Sequence, residues 1–284
     1  MEPHKNALWV PTPKFIPFRE GNILPHVECS FRLSDPELKI ASSNAMYPIS
    51  AGISQNLFCK EAFREMHSLN KIYNPGGFEA LKKGEIDLFI TYANDEQVAD
   101  IRQTVPSLKQ VTLHLEPLIF MVHTSNPVQN ITMEQMRAMY EGKITNWKEV
   151  GGKDEPVFTF QLASPNNVSG TAFLEFVKGN TMDGNHQWSE TMWDVVDSVA
   201  DNIGGIGNLF WSYYAKIYAN KYTRMVSIDG KSFNDPVYPC RLPISMLYDG
   251  NNSKSQLHQL VEYLCSEEGI QLVRKCNECQ RTIE

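Results

Sequence analysis

The sequence predicts an α/β fold, and three observations lead to that prediction. Short apolar runs alternate with segments whose apolar residues recur at helical spacing, which is typical of strands covered by helices. Glycine residues and capping pairs such as Thr132 and Gln135 mark where helices end and begin. The chain of 284 residues is long enough for two domains, and its 42% hydrophobic residues are enough to bury a core.

The first half of the chain predicts two strand and helix pairs and one long strand. The segment "LKIASSNAMYPISAGISQNLF" predicts a short strand, a polar turn and a helix with Ile49, Ile53 and Leu57 on one face. The segment "GGFEALKKGEIDLFITYA" predicts a loop, a short helix ended by Gly84, and a buried strand over residues 86–91. The run "VTLHLEPLIFMVH" predicts a long strand where the chain crosses between two lobes.

The second half continues the alternation. The helix in "ITMEQMRAMYEGK" ends at Gly142, and a second capped helix in "SGTAFLEFVKG" begins at Ser169 or Thr171. "SETMWDVVDSVADN" is a further helix, "GGIGNLFWSYYAKIYANK" is a strand leading into an aromatic helix, and "TRMVSIDG" is a strand ending in a turn. The last helix has Gly269 as its cap, and residues 242–249 predict a return crossing.

Composition and charge exclude several functions. The formal net charge of −7 at pH 7 argues against nucleic-acid binding, which needs a basic surface. The sequence has no apolar run of about 18 residues, so no transmembrane helix is predicted. The first residues lack the apolar core of a secretory signal, so the protein is either cytosolic or begins here after an export signal or anchor.

The six cysteines predict no metal or cofactor site. Cys276 and Cys279 are spaced like a zinc or redox pair, but no second pair of ligands accompanies them, and they lie near the chain end. We expect a plain tail, and the disulfide state of Cys265, Cys276 and Cys279 is open. The sequence has no nucleophile elbow and no Ser or Cys with a marked His partner, so no catalytic residue and no enzyme are predicted.

Small polar residues cluster at turns where a strand ends or a helix begins. A helix start offers backbone N–H groups and a positive dipole end to an anion, and glycine lets a ligand approach the backbone. Ser, Thr and Asn are also the usual N-caps, so any one such turn is more often only a cap. The candidate ligand-binding residues are Ser42, Ser43, Asn44, Asn74, Thr91, Tyr92, Asn167, Ser169, Gly170 and Thr171.

One long segment resembles a known family. "ITMEQMRAMYEGKITNWKEVGGKDEPV", residues 131–157, closely resembles a segment of the phosphate-binding proteins of bacterial ABC transporters, which are periplasmic solute-binding proteins. Similar segments in the same order are "GGFEALKKGEIDLFIT", "SGTAFLEFVKG", "GGIGNLFWSYY" and "MVSIDGKSFNDPVYPCRLPI". The resemblance spans roughly residues 39–275 and leaves about the first 38 without a match.

The resemblance implies a type II periplasmic-binding-protein fold, with a ligand cleft between two α/β lobes joined by two crossing strands. Lobe I would be residues 1–118 plus 242–284, and lobe II residues 119–241. It further implies an extracytoplasmic protein, in the periplasm or at the cell surface, with its export signal or anchor absent from this chain. Such a protein binds phosphate or a related small anion and delivers it to a membrane ABC permease, and we expect a monomer.

The family's phosphate site matches this sequence in part. Three of its elements are a polar turn before the first helix, a Gly-Ser loop, and the end of an Arg-x-x-x-Ser-Gly-Thr segment. The matching positions are Ser42, Ser43 and Asn44 for the turn, Asn74 with Gly76 and Gly77 loosely for the loop, and Ser169, Gly170 and Thr171 for the segment.

Two family residues have no counterpart. Tyr92 stands where the family has a strand-end Asp, and Pro165 or Leu162 stands where it has the Arg. Losing a buried Arg contact to the anion would cost about 2 to 3 kcal/mol. Three hypotheses therefore stay open: an oxyanion held by neutral donors and helix ends, another small polar ligand contacted by Tyr92, or a degenerate domain used for sensing or protein contact.

Overall fold

The computed structural model of this protein describes residues 5–68, 70–72, 74–162, 168–177 and 185–278. Strands and helices alternate along them, and the predicted α/β class is confirmed. The strands are β1 (Ala7–Trp9), β2 (Ile40–Ser42), β3 (Asn70–Lys71), β4 (Leu88–Thr91), β5 (Leu108–His123), β6 (Asn130–Ile131), β7 (Phe158–Leu162), β8 (His186–Ser189), β9 (Gly205–Phe210), β10 (Tyr218–Asn220), β11 (Thr223–Ile228) and β12 (Arg241–Asp249). The helices are α1 (Tyr47–Leu57), α2 (Glu65–Ser68), α3 (Asn74–Lys82), α4 (Asp95–Thr104), α5 (Met133–Tyr140), α6 (Val168–Val177), α7 (Met192–Ala200), α8 (Trp211–Lys216), α9 (Ser255–Cys265) and α10 (Glu267–Asn277). Short 3-10 helices cover Thr12–Phe15, Asn44–Met46 and Trp147–Val150.

The described chain divides into two compact units. The middle unit contains residues 5–10 and 116–242, and the terminal unit contains residues 11–115 and 243–278. The chain passes from one to the other after residue 10, within β5 and within β12. Residues 5–10 group with the middle unit because β1 pairs with β10, which differs from the predicted assignment of residues 1–118 to lobe I.

The terminal unit is built on a short sheet in the strand order β3-β2-β4-β12. Strands β3, β2 and β4 are parallel, and β12 is antiparallel to β4. Phe89 of β4 packs on Phe78 of α3, and both belong to a buried cluster with Ile101 of α4 and Leu247 of β12. Helices α3 and α4 therefore share one apolar core with the sheet.

Helix α1 of the terminal unit is buried along its whole length. Every residue of Tyr47–Leu57 is buried, including the predicted face of Ile49, Ile53 and Leu57. It packs against α10 so closely that a Cβ added at Gly52 would lie 2.6 Å from the Sγ of Cys276. Because α1 is fixed on all sides, the turn that precedes it is held in one position on the sheet.

The middle unit is a second sheet in the order β5-β9-β7-β8, with β9, β7 and β8 parallel to one another. Helix α7 packs on β9, where a Cβ added at Gly207 would lie 2.8 Å from Val195 and 2.9 Å from Val199. Only glycine permits that approach, which explains the glycine-rich sequence of this strand. The predicted strand and helix of this segment are confirmed.

The family-like run of residues 131–157 is scaffold of the middle unit. The predicted capping box is confirmed, because Thr132 Oγ1 accepts the N–H of Gln135 and the Gln135 side chain accepts the N–H of Thr132. Trp147 is buried and donates its indole N–H to the carbonyl of Gly204 at 2.8 Å. These residues hold loops and strands together rather than facing a ligand.

The C-terminal prediction is wrong in one detail. Gly269 does not end the last helix, because α9 ends at Cys265 and a new helix begins at Ser266, whose hydroxyl caps the N–H of Gly269. A Ser after a helical run is an N-cap signal, and here it outweighs the glycine that follows. In the described ranges no helix is long and apolar enough to span a membrane.

Candidate functional site

The candidate site in the terminal unit lies where three parallel strands end. Strands β3, β2 and β4 place Lys71, Ser42 and Thr91 at their carboxyl ends, and the registers join Ser42 to both Lys71 and Ile90. In open α/β sheets, ligands bind outside the carboxyl ends of the strands. Helix α1 begins a few residues after β2, and its preceding turn contains Ser43 and a 3-10 helix of Asn44–Met46.

Ser42 is already committed to an internal hydrogen bond. Its hydroxyl lies 2.8 Å from the hydroxyl of Ser50 in α1, and Ser50 donates its own proton to the carbonyl of Tyr47 at 3.0 Å. Because Ser50 has one proton, Ser42 must be the donor between the two hydroxyls. Ser42 is fully buried and has no proton left for an anion, so it fixes β2 to α1.

Thr91 and Asn74 form a second internal pair. The hydroxyl of Thr91 donates to Asn74 Oδ1 at 2.6 Å, and Asn74 Nδ2 donates to the carbonyl of Tyr92 at 3.1 Å. Both side chains are almost fully buried, with 0% and 2% of their surface exposed. This pair ties α3 to the end of β4. Tyr92 is itself buried, with 4% of its surface exposed.

Ser43 is different, because its hydroxyl has no partner. The side chain is 2% exposed, and its buried Oγ makes no hydrogen bond in the described structure. Its backbone is used: the N–H donates to Ile90 at 3.1 Å, and the carbonyl accepts from Met46 at 3.0 Å. A buried hydroxyl without a partner costs about 1 to 3 kcal/mol. Its position at a helix start makes this hydroxyl a candidate donor to a ligand.

The backbone at this turn offers two further donors. Met46 N–H donates to Ser43 and Tyr47 N–H donates to Asn44, whereas residue 48 is a proline without an N–H. Among the described residues, the N–H groups of Asn44 and Ala45 donate to no protein acceptor. The side chain of Asn44 is partly exposed and does not cap the turn. The turn before α1 therefore contains three unused donors among the described residues: two amides and the Ser43 hydroxyl.

Sequence reasoning missed Ser245, which lies on the neighbouring antiparallel strand. Ser245 of β12 pairs directly with Thr91 of β4, is fully buried, and has an Oγ without a hydrogen-bond partner in the described structure. Continuing the strand pairing, Ser43, Thr91 and Ser245 follow one another across the sheet. The segment was interpreted only as a return crossing, and its Ser has no sequence signal of a site.

Sequence reasoning also missed a cation. Lys71 ends β3, is exposed, and places its Nζ 5.5 Å from the ring centroid of Tyr47, the first residue of α1. Burial and the nearby Glu65 raise the pKa of Tyr47 to about 12, so this phenol is protonated at neutral pH. The resemblance places the family's cation, an Arg, in the segment before residue 169. Lys71 lies elsewhere, at the end of β3.

The second predicted group of residues lies in the middle unit. Helix α6 begins at Val168, so Ser169, Gly170 and Thr171 form its first turn, and all three are buried. Ser169 Oγ lies 4.0 Å from the sulfur of Met192 in α7. Asn167 lies outside the described residues. The groups around α1 and α6 belong to different units of the chain.

Another helix start of the middle unit binds a carboxylate of the protein itself. Glu116 is fully buried, and its Oε1 accepts the backbone N–H of Ser212 at 2.7 Å and the hydroxyl of Ser212 at 2.5 Å. The start of α8 therefore already binds an anionic side chain of the protein. In the described ranges, no group of three or more His, Cys, Asp or Glu is placed to hold a metal ion, and Cys279 lies outside them.

Comparisons with known proteins show which family the chain resembles. The family model of the PBP superfamily domain matches residues 74–268. The phosphate-binding protein PstS of Bacillus subtilis (strain 168) is 25% identical over 198 residues, which are 68% of this chain and 62% of that protein. The match thus spans less than two thirds of that relative.

Two solved structures have the same fold. One, from Clostridium perfringens, is described as a phosphate ABC transporter substrate-binding protein with bound phosphate, and it aligns with a TM-score of 0.67, 22% identity, and 86% and 99% coverage of the two chains. The other is an ABC-type phosphate transport receptor from Vibrio cholerae, with a TM-score of 0.63, 19% identity, and 84% and 98% coverage. The predicted periplasmic-binding-protein fold is therefore confirmed.

Proposed function

The chain belongs to the PBP superfamily, and we propose that it is a solute-binding protein that takes phosphate or a closely related oxyanion. The observation that carries this proposal is the turn before α1, where the buried hydroxyl of Ser43 has no partner and the N–H groups of Asn44 and Ala45 have no acceptor among the described residues. An anion with several acceptor oxygens satisfies all three donors at once. The names of the relatives support phosphate as the first ligand to test.

Binding at this turn requires no catalytic group. The helix start contributes its dipole and amides, and Ser43 adds a neutral hydrogen bond. We assign a positioning role to Ser42, Thr91 and Asn74, because their side chains form hydrogen bonds with one another or with Ser50. Tyr92 packs beside them. Asn44 contributes its amide and a partly exposed side chain.

We also propose the first turn of α6, in the middle unit, as an anion-binding segment. Ser169, Gly170 and Thr171 correspond to the family's Ser-Gly-Thr segment, and we extend the proposal to Asn167 before them. Periplasmic binding proteins as a class bind their solutes by hinge closure. We also propose that the protein is an extracytoplasmic monomer. It would deliver its bound anion to a membrane ABC permease.

A thermal unfolding screen tests the ligand. The purified protein is heated with phosphate, sulfate, other oxyanions, amino acids or sugars at millimolar concentration. A ligand present at about 100 times its Kd adds about 2.7 kcal/mol of stability and raises the unfolding midpoint visibly. A shift with phosphate or another oxyanion supports the proposal. A shift only with an uncharged solute, or no shift with any compound, contradicts it.

Two substitutions test the residues. Ser43→Ala and Thr171→Ala each remove one hydroxyl and should weaken phosphate binding roughly tenfold, the effect of one hydrogen bond to a charged ligand. Isothermal titration calorimetry measures the affinity. The matched control is Thr132→Ala, which removes a capping hydroxyl at the start of α5 and should leave the affinity unchanged. Normal binding by both variants would show that the site is elsewhere.

A further inference from the structure

We propose that Lys71 supplies the positive charge for an anion bound at the turn before α1. This inference rests on the proposed function and deepens it, because it names the residue that replaces the cation missing from the α6 segment. No Arg or Lys occurs in residues 163–176, where the resemblance places the family's Arg. The charge must then come from another element if the site is to have one.

The strand pairing brings Lys71 to the site. Lys71 and Ser42 are paired residues of neighbouring parallel strands, and the carbonyl of Ser42 accepts the next N–H, that of Ile72, at 3.0 Å. The residue after Ser42 is the unpartnered Ser43. Lys71 and Ser43 therefore lie at the same edge of the sheet, at the ends of neighbouring strands.

The Lys71 side chain points towards the start of α1. Its Nζ lies 5.5 Å from the ring centroid of Tyr47, which follows the 3-10 helix of Asn44–Met46 directly. The aromatic face holds the ammonium group by a cation–π contact without neutralising it. Tyr47 is buried, so its ring holds the flexible lysine side chain at the first residue of α1.

Lys71 keeps its charge available, unlike two lysines of the same unit that form ion pairs. Lys254 is bound to Asp87 at 2.6 Å, and Lys82 is bound to both Glu79 and Asp100 at 2.8 and 2.6 Å. For Lys71, the described parts of the chain contain no carboxylate within ion-pair distance. An exposed, unpaired ammonium beside a helix start and a buried free hydroxyl is suited to an oxyanion with two or more negative charges.

The test is calorimetric titration of inorganic phosphate into the protein and three variants. Lys71→Gln removes the charge and should weaken binding roughly 10-fold to 100-fold, the loss expected for one charge-assisted hydrogen bond. Lys71→Arg keeps the charge and should retain most of the affinity. The matched control is Lys83→Gln, which changes an exposed lysine directly after α3 and should bind phosphate like the unmodified protein.

The outcomes separate this inference from the proposed function. If the unmodified protein binds phosphate and Lys71→Gln binds it equally well, the role of Lys71 is wrong and the proposed function stands. If the unmodified protein binds no oxyanion at all, both are wrong. Weakening by Lys71→Gln and by Lys83→Gln alike would indicate only a general charge effect and would overturn the specific role of Lys71.

A salt titration of the unmodified protein gives a readout that does not depend on a folded variant. A partly exposed lysine contact is screened as the Debye length falls, so the phosphate affinity should decrease clearly between low salt and about 0.5 M sodium chloride. An affinity that is independent of salt would contradict the inference.

Discussion

The turns before α1 and α4 follow two neighbouring parallel strands of one unit, yet they treat their backbone donors in opposite ways. Before α4, Asn94 accepts the N–H of Gln97, and the Gln97 side chain accepts the N–H of Asn94. Before α1, Ser43 forms no cap and its hydroxyl is buried without a partner. A polar turn thus becomes a candidate ligand site where the sequence does not cap its own helix.

Three helix starts of the middle unit also bind an acceptor from the protein itself. Capping boxes close the starts of α5 and α7, and the buried carboxylate of Glu116 occupies the start of α8. Glu116 shows what such a helix start requires, because a carboxylate there accepts an amide and a hydroxyl together. The turn before α1 has the same kinds of donors, and no side chain of the described residues fills that role.

The largest expected effect concerns the pair that holds β4 and α3. Asn74→Leu removes the 2.6 Å acceptor of Thr91 and the donor to Tyr92, and leaves these two buried groups only their longer mutual hydrogen bond of 3.3 Å. The free energy of unfolding should fall by about 3 kcal/mol. Urea unfolding measures it.

Thr91→Val is the control for Asn74→Leu, because it removes one side of the same pair and should cost less. Unchanged stability in both variants would contradict the assignment of this pair to a structural role, and would return Thr91 and Asn74 to the set of direct ligand contacts.

A smaller effect is expected at the capped turn. Asn94→Ala removes the cap of α4 and should lower the free energy of unfolding by about 1 kcal/mol, the usual cost of losing an N-cap. Phosphate affinity should not change, since Asn94 faces its own helix. Urea unfolding and phosphate titration on the same sample check both statements. A loss of affinity without a loss of stability would mean that Asn94 contacts the ligand.

The sequence predicted the fold well because periodicity and capping signals are local. The helix from Thr132, the strand before Thr91 and the turn at Asp229 and Gly230 all form where the pattern places them. It failed at Gly269, where two local signals compete and tertiary packing decides.

The sequence predicted the candidate site less well than the fold, for a physical reason. Whether Ser42 or Ser43 has a free proton depends on Ser50, which lies eight residues away in α1. Lys71 and Ser245 reach the site only through strand pairing, and no short motif encodes that pairing. Residue type identifies the candidates, but the network of hydrogen bonds decides which of them has an unused donor.

The smallest expected change in stability is at Ser43, and it separates the two turns most sharply. Ser43→Ala removes a buried hydroxyl that has no partner, but the packing of that atom is lost as well, so the free energy of unfolding should rise by less than about 1 kcal/mol. Phosphate affinity should nevertheless fall roughly tenfold, because the hydroxyl gains its partner only in the bound state. Asn94→Ala is predicted to show the reverse pattern. If Ser43→Ala instead loses the stability of a cap and keeps its affinity, both turns are ordinary helix starts and the anion site does not lie before α1.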